Sequence, residues 1–164
     1  MSDRQRVVNT APLIFLAKLE RLELLRLGTD VVYVPPTVLA ELRVVPDQAT
    51  RGVETVLGDW LIERACSRSD LLAPLTQTLD PGEAEVIALA LELGTLDVVL
   101  DDLEARRFAR RSGLQPVGTL GLLLAAKRQG LIEQITPEIE KLRAAGLRAS
   151  AALIARVLAE ADEL

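Results

Sequence analysis

Residues 80–102 read DPGEAEVIALALELGTLDVVLDD, and this stretch decides the fold. Asp80-Pro81-Gly82-Glu83 is a strong helix start, with Asp as the cap, Pro at the first helical position and Glu at the third. The apolar residues after it continue the helix to Leu93. Residues 97–100 then predict a buried strand, and Asp101-Asp102 predict the start of another helix. A capped helix, a buried strand and a second capped helix in this order indicate β-α units and a parallel sheet.

Short strands alternate with helices on both sides of this stretch. Strands are predicted at residues 6–9, Val31–Val34 and Gln115–Val117, and helices at 11–19 (continuing over 21–27), 37–43, 119–129, 137–145 and 150–161. Residues 46–79 are less clear, because segments 47–57 and 70–78 are each compatible with a helix on either side of residues 60–62. The sequence therefore predicts one α/β domain over residues 1–164, with a short, mainly parallel sheet of four strands flanked by helices.

The composition restricts the chemistry that the chain can perform. Histidine is absent, which excludes histidine acid–base nucleases, serine–histidine hydrolases and zinc sites that need imidazole. The single cysteine, Cys66, excludes an internal disulfide and a cysteine-rich zinc site. The 19 basic and 24 acidic residues give a net charge of −5, which argues against coating nucleic acid but permits a local basic patch. The chemistry must therefore rest on carboxylates, hydroxyls, amides, Lys, Arg or a bound ion.

No stretch of the sequence predicts a membrane segment. The longest apolar run without charges, residues 116–126, is well short of the ~20 residues of a transmembrane helix. The N-terminal residues MSDRQRVVNT carry charges and lack the apolar core of a signal peptide. We therefore expect a cytoplasmic protein.

Polar side chains follow the predicted strands, where parallel sheets bind their ligands. Asn9 follows the first strand, Asp101 and Asp102 follow the third, and Thr119 follows the fourth. Clustered carboxylates repel one another unless a cation joins them, and Mg²⁺ or Mn²⁺ prefers oxygen ligands. Such an ion activates water and neutralises phosphate charge, so the pattern favours phosphodiester hydrolysis. The candidate ligands, including three acids on helices that border this edge, are Asn9, Glu41, Glu83, Glu85, Asp101 and Asp102.

Each candidate ligand also has a purely structural interpretation. Asn9 is an ordinary helix cap, as is one of Asp101 and Asp102, and a lone Glu41 on a helix is usually solvated. Glu83 completes a capping box, which makes Glu85 the better candidate of that pair. The hypothesis of a site therefore rests on the joint order of these residues.

A cluster of arginines lies on the helix that follows Asp102. Arg106, Arg107, Arg110 and Arg111 are spaced i, i+1, i+4 and i+5, so they cover one broad face of the helix. This face is either simply solvated or a patch that steers phosphate towards the acids.

Five segments of the chain, in this order, resemble the PIN-domain-like proteins of the type often found beside small antitoxin genes (VapC-like). They are VVNTAPLIFLAKL (7–19), VPPTVLAEL (34–42), LDPGEAEVIALALELG (79–94), VVLDDLEARRFARRSGL (98–114) and PVGTLGLLLAAKRQGLI (116–132). The first is most similar to a subgroup whose motif reads N-T-x-P-L. The resemblance covers a core of about residues 6–132 and implies a three-layer PIN-like fold, and the helical C-terminal tail at 135–164 also fits this subgroup.

The resemblance implies a metal-dependent endoribonuclease, the toxin of a toxin–antitoxin pair. The family's acids match Glu41, Glu83 or Glu85, and Asp102 with Asp101 adjacent, and its small hydroxyl residue matches Thr10. In this interpretation Glu41, Glu85 and Asp102, helped by Asn9, hold one or two Mg²⁺ or Mn²⁺ ions and carry the catalysis. The implied partners are an RNA substrate, a small antitoxin protein and a second copy of the chain in a homodimer. The residues expected to bind the RNA are Thr10, Arg106, Arg110 and Thr119.

The chain departs from the family pattern at Asn9, where relatives have an acid. An amide oxygen can bind Mg²⁺ but brings no charge and cannot act as a base. The first alternative is therefore a catalytically weak or inactive PIN-like module that binds RNA or a protein partner. The second is a structural α/β protein whose acids are only helix caps.

Overall fold

A computed structural model describes residues 4–164. The strands in this range are Gln5–Val8 (β1), Val31–Val34 (β2), Leu61–Glu63 (β3), Asp97–Val99 (β4) and Gln115–Val117 (β5). The α-helices are Thr10–Lys18 (α1), Pro36–Leu42 (α2), Gln48–Val56 (α3), Ser69–Leu75 (α4), Pro81–Leu93 (α5), Leu103–Arg111 (α6), Thr119–Arg128 (α7), Thr136–Ala144 (α8) and Ala151–Glu160 (α9), and a short 3-10 helix spans Leu22–Arg26.

The strands form one parallel sheet in the order β3-β2-β1-β4-β5. Val7 in β1 pairs with Tyr33 on one side and Val98 on the other, so β1 is the central strand. The predicted α/β fold with a parallel sheet is confirmed, but the described chain has five strands where the sequence predicts four. The additional strand is β3, which falls in the region that the sequence left unclear. It has only three residues and lies at the sheet edge, so it shows neither a clear alternation nor a long apolar run.

Helix α5 has the start and end that the sequence predicts. The N–H of Glu83 donates to Asp80 Oδ1 at 2.9 Å, and the N–H of Asp80 donates to Glu83 Oε1 at 3.3 Å, so both halves of the capping box form. Gly94 ends the helix with φ of 72°, a left-handed conformation that costs glycine little. This buried helix packs against β1, β4, α2 and α4 and carries Gly82, Glu83 and Glu85 to the sheet edge.

The predicted continuation of the first helix over residues 21–27 is wrong. Glu20 has φ of 57° and ends α1, and the N–H of Arg21 donates back to the carbonyl of Leu16 at 2.8 Å. This is the 6→1 hydrogen bond of a Schellman ending, which satisfies a carbonyl at the helix terminus. The chain then resumes as the 3-10 helix Leu22–Arg26, which buries Leu22, Leu24 and Leu25.

The C-terminal tail is helical, as predicted, and α9 packs against α7. Glu163 links the end of the tail to the start of α8 and to α7. It accepts hydrogen bonds from the N–H groups of Ile135 and Thr136 and forms an ion pair with Lys127 at 2.9 Å. Burial raises the pKa of Glu163, but these donors and the lysine outweigh burial and lower that pKa to about 2.

The core lies on both faces of the sheet. Val7, Val8, Val98 and Val99 on the central strands are fully buried, and so is every residue from 86 to 90 of α5. None of the helices within residues 4–164 is both long enough and apolar enough to cross a membrane.

Candidate active site

Asn9 lies directly after the central strand, at its carboxyl end. Val8 pairs with Val99, and the N–H of Asn9 donates to the carbonyl of Val99 at 3.1 Å, so the ends of β1 and β4 are adjacent. The Asn9 side chain occupies the cap position of α1 but makes no capping hydrogen bond, and the residue is only 8% exposed. Its Oδ1 is buried and accepts no hydrogen bond from residues 4–164. The structure therefore presents a buried acceptor without a donor, which is uncommon in folded proteins.

Glu41, on α2, is held beside Asn9 by the next residue of the chain. The hydroxyl of Thr10 donates to Glu41 Oε2 at 2.6 Å. The carboxylate also lies against the start of α5, because a Cβ added to Gly82 would be 2.8 Å from Glu41 Oε1. A side chain at position 82 would therefore displace this carboxylate. The sequence did not identify Gly82 as a site residue, and its only signal was the Pro81-Gly82 pair at the helix start.

Glu83, on α5, is an acid on which the charge of Asp102 acts. It is 8% exposed and completes the capping box with Asp80. Burial raises the pKa of Glu83, and the hydrogen bond and negative charge of Asp80, together with the charge of Asp102, raise it further, to about 8. Asp80 was expected only as a cap, so its electrostatic influence on this site is a further feature that the sequence did not indicate. At neutral pH Glu83 therefore binds a proton in the metal-free chain.

Asp102 is both a helix cap and an available ligand. Its Oδ2 accepts from the N–H of Ala105 at 2.9 Å, which caps α6. Its Oδ1 accepts no hydrogen bond from the part of the chain that the structure describes. One carboxylate can thus serve both roles that the sequence left open.

Asn9, Thr10, Glu41, Gly82, Glu83 and Asp102 form a continuous group, which we call the carboxylate edge. The links are the bond between neighbours Asn9 and Thr10, the Thr10–Glu41 hydrogen bond, the Glu41–Gly82 approach and the charge interaction of Glu83 with Asp102.

Glu85 and Asp101 have other partners. Glu85 Oε2 accepts from the hydroxyl of Thr37 at 2.7 Å, on the part of α2 that precedes Glu41. Asp101 Oδ1 accepts from the N–H of Thr119 at 2.7 Å and Asp101 Oδ2 from the Thr119 hydroxyl at 2.7 Å, so both oxygens fix the start of α7. Burial raises the pKa of Asp101 and outweighs the hydrogen bonds from Thr119 and the charge of Arg106. Asp101 and Thr119 thus form a structural pair beside the carboxylate edge.

The expected phosphate-binding arginines, Arg106 and Arg110, lie on α6. Arg106 is half-buried near Asp101, and its buried Nε donates no hydrogen bond within the described residues. Burial lowers the pKa of Arg106, and the nearby charges of Arg110 and Arg156 lower it further, while Asp101 acts in the opposite direction. Positive charge therefore gathers next to the carboxylate edge.

The carboxylate edge offers oxygen ligands but no dense cluster of acids. Across residues 4–164, no three Asp, Glu, His or Cys side chains lie close enough together to hold a metal ion by themselves. The free Oδ1 of Asn9 is an acceptor that a cation would satisfy, and amide and carboxylate oxygens suit a hard divalent ion. Mg²⁺ commonly binds one or two carboxylates and takes its other ligands from water and substrate phosphate. The donor set therefore fits Mg²⁺ or Mn²⁺ held with few protein ligands.

Comparison with known proteins agrees with this fold. A family model described as a PIN domain (DUF3368) matches residues 5–163, nearly the whole chain. The chain therefore belongs to the PIN-domain family, a family of nucleases. No curated protein gives a significant match.

Among solved structures, the chain is similar to a PilT N-terminus domain protein from the hyperthermophilic archaeon Sulfolobus solfataricus P2. The identity is 20% and the TM-score 0.51, and the match covers 74% of this chain and 92% of that one. At this identity the similarity concerns the fold alone. The narrower resemblance to toxins of the VapC type stays a prediction.

Proposed function

We propose that this chain is a metal-dependent endoribonuclease that acts on RNA in the cytoplasm. One observation carries the proposal: the buried Oδ1 of Asn9 has no hydrogen-bond donor, and it lies at the end of the central strand in the group that contains Glu41, Glu83 and Asp102. A buried acceptor of this kind is costly unless something satisfies it. Hard divalent ions such as Mg²⁺ or Mn²⁺ suit oxygen ligands of this kind.

The residues of the carboxylate edge have distinct roles in this proposal. Asn9, Glu41 and Asp102 supply oxygen ligands, with Glu83 beside them, and Thr10 fixes the orientation of Glu41 through its hydrogen bond. We place Glu83 at the site in preference to Glu85, because Glu83 interacts with Asp102 whereas Glu85 is bound by Thr37. A bound ion would activate water and neutralise phosphate charge, which the chain, lacking histidine, needs for phosphodiester hydrolysis. Arg106 and Arg110 would hold the phosphate of the RNA.

The test is single-turnover cleavage of a labelled RNA in Mn²⁺ and in EDTA. We expect cleavage in Mn²⁺ only, and a loss on the order of 10²-fold in Glu41→Gln and in Asp102→Asn. Asn caps helices about as well as Asp, so the Asp102→Asn variant should keep its fold. Glu104→Gln is the matched control, because Glu104 is an exposed acid in the first turn of the same helix. Cleavage that persists in EDTA, or equal rates for Glu41→Gln and the parent, would refute the proposal.

A non-catalytic PIN-like module is the second candidate, and Asn9 is the observation that favours it. If the amide cannot replace the family's acid, the chain would bind RNA without cutting it. The same labelled RNA separates the two functions: retention by the protein in Mn²⁺ with no cleavage above the Asp102→Asn variant would support the binding module.

The motif order further supports a place in a toxin–antitoxin pair, with a homodimer as the assembled form. We expect expression in a bacterial host to slow growth, and the Asp102→Asn variant to be harmless. Co-expression of the small protein encoded beside this chain's gene should restore growth, and sedimentation should give the mass of two chains. Equal growth with parent and variant would argue against the toxin role.

A further inference from the structure

The tail helix α9 forms one wall of a cavity of about 240 Å³ next to the carboxylate edge. Asp101 lines this cavity, and the following residue, Asp102, belongs to the edge. The opposite walls come from β5 and the first turns of α7. The cavity is therefore built by the sheet core and the C-terminal tail together.

Three arginines border the cavity from separate parts of the chain: Arg106 on α6, Arg148 before α9 and Arg156 on α9. None of them forms an ion pair or a side-chain hydrogen bond with any residue from 4 to 164, although the Nε of Arg106 is buried. The acids that border the cavity already have partners, since Asp101 is bound by Thr119 and Glu160 pairs with Arg128 at 3.7 Å. The charge of Asp101 acts on Arg106, but Asp101 forms no ion pair with it. Guanidinium groups that line one cavity without a carboxylate ion pair favour a bound anion, above all phosphate.

Between the arginines the wall is apolar, and it is formed by Leu120, Leu124, Leu153 and Val157. An inorganic anion gains nothing from such a wall, whereas a nucleotide carries a flat base or ribose beside its phosphate. Bases also stack on the planes of arginine guanidinium groups, which replaces the aromatic platform that this chain lacks. At about 240 Å³ the cavity is smaller than the ~300–1,000 Å³ of drug-sized pockets, so it suits a single nucleotide unit.

We infer that this cavity is a nucleotide subsite, in which Arg106, Arg148 and Arg156 bind a phosphate of single-stranded RNA and the leucine wall holds the attached nucleoside. The inference rests on the proposed ribonuclease function, since the subsite would seat a nucleotide next to the one cleaved at the carboxylate edge. It gives the C-terminal tail a role in substrate recognition, because Arg148 and Arg156 belong to the tail. Phosphate contacts would position the strand, and the shape of the wall would discriminate between bases.

The experiment measures binding of nucleoside 5′-monophosphates to the full chain in EDTA by calorimetry, with inorganic phosphate as a second probe. Binding in EDTA does not depend on a metal ion or on cleavage. Arg156→Gln removes one charged donor and should weaken nucleotide binding about 10-fold or more. Ala149→Trp should weaken binding to a similar degree, because it fills the cavity without changing the charge. Arg143→Gln is the matched control, since Arg143 is exposed on α8, has no ion pair in the described chain and does not line this cavity.

Nucleotide binding that both cavity variants weaken and the control leaves unchanged supports the inference. Three results would overturn it: no nucleotide binds, inorganic phosphate binds as tightly as every nucleotide, or Arg156→Gln has no effect. A glutamate-rich peptide that binds more tightly than any nucleotide would also overturn it and would indicate a protein partner.

RNA cleavage separates this inference from the proposed function. Nucleotide binding without any cleavage would leave the subsite in place and remove the ribonuclease proposal. Metal-dependent cleavage with unchanged RNA affinity in Arg156→Gln and Ala149→Trp would do the reverse. If both are correct, the two variants raise the RNA concentration needed for half-maximal single-turnover cleavage and leave the rate at saturation unchanged.

Discussion

Replacing Asn9 with an acid, which the resemblance to PIN-domain proteins implies at this position, should lower the stability of the metal-free chain and raise its activity. Asn9 is 8% exposed, as is Glu83, and the Oδ1 of Asn9 has no hydrogen-bond donor in the described chain. In Asn9→Asp a carboxylate would occupy this position without any hydrogen bond to stabilise its charge. Its pKa should rise for the same reasons as that of Glu83, namely burial and the negative charge of neighbouring acids.

The pKa of Glu83 indicates how large the loss of stability in Asn9→Asp could be. This pKa is raised from 4.5 to about 8. If the introduced carboxylate were shifted by only about 2 units, its ionisation at neutral pH would destabilise the metal-free fold by roughly 3 kcal/mol. An acid with a raised pKa in the folded state costs nothing while it is protonated in both states. The loss of stability in EDTA should therefore vanish below about pH 4 and grow as the pH rises towards neutrality.

A divalent ion should reverse this cost, because the carboxylate adds a full negative charge to the ligand set where the amide offers a dipole. We expect Asn9→Asp to gain more thermal stability from Mn²⁺ than the parent does, and to cleave RNA faster, by up to about 10²-fold. The assays are urea unfolding in EDTA and in Mn²⁺, and single-turnover cleavage with Asp102→Asn as the blank. Asn9→Ala is the matched control, since it removes the amide oxygen without adding charge. Equal unfolding free energies for parent and Asn9→Asp in EDTA at pH 7 would refute the electrostatic reasoning. Equal cleavage rates in Mn²⁺ would place residue 9 outside the reaction.

Three further predictions follow from individual contacts. Gly82→Ala should displace the Glu41 carboxylate, because the new Cβ would lie 2.8 Å from Glu41 Oε1. Cleavage should slow at least 10-fold, while the free energy of unfolding should change by less than about 1 kcal/mol. The control is Gly52→Ala, whose Cβ would meet only Leu22 Cδ1 at 3.8 Å, and equal cleavage rates for Gly82→Ala and the parent would contradict the prediction. Glu163→Gln should lower the free energy of unfolding by roughly 2–3 kcal/mol at pH 7. Because the pKa of Glu163 is lowered to about 2, the unfolding free energies of parent and variant should converge as the pH falls from about 4.5 towards 2. A constant difference across that range would contradict this explanation. Asp102→Ala should lower the melting temperature by removing a cap worth about 1 kcal/mol and should also abolish the stabilisation by Mn²⁺, so a variant that loses only the cap would show that Asp102 binds no ion.

Local signals were sufficient to predict most of the fold. The capping box at Asp80, the left-handed Gly94 and the apolar residues of β4 are each determined by a few neighbouring residues, and the structure has all three. Strand β3 could not be predicted in this way, because three residues at a sheet edge depend for their conformation on pairing with β2. The end of α1 at Glu20 was missed for a related reason. A left-handed glutamate is unfavourable locally, and here it is accompanied by the burial of Leu22, Leu24 and Leu25 behind it.

The sequence allows a set of candidate site residues to be proposed, but it does not give their geometry. Sequence order places acids after the strands, yet it cannot say which face of α5 points to Asp102. The capping box of Glu83 made Glu85 the better candidate ligand, although Glu83 both completes the cap and is affected by the charge of Asp102. Likewise, the pairing of Asp101 with Thr119 joins residues 18 positions apart, and only the adjacency of β4 and β5 brings them together.

If the carboxylate edge binds a metal ion, the amide of Asn9 should weaken the coupling between folding and metal binding. Glu83 already binds a proton near neutral pH, because burial and the negative charges of Asp80 and Asp102 disfavour its ionised form. An acid at position 9 would add to this repulsion, and the metal-free fold would then depend on a cation to offset it. With an amide, the repulsion between the acids of the carboxylate edge should be smaller without metal, so we expect the chain to fold without a bound ion. The edge should then also attract an ion less strongly. Activity should accordingly need a higher concentration of divalent ion than it would with an acid at position 9, while stability should depend less on that concentration. If the arginines around the neighbouring cavity bind RNA, its phosphate would supply the negative charge that Asn9 lacks. The substrate itself would then complete the ion's ligand set, and metal and RNA should bind cooperatively.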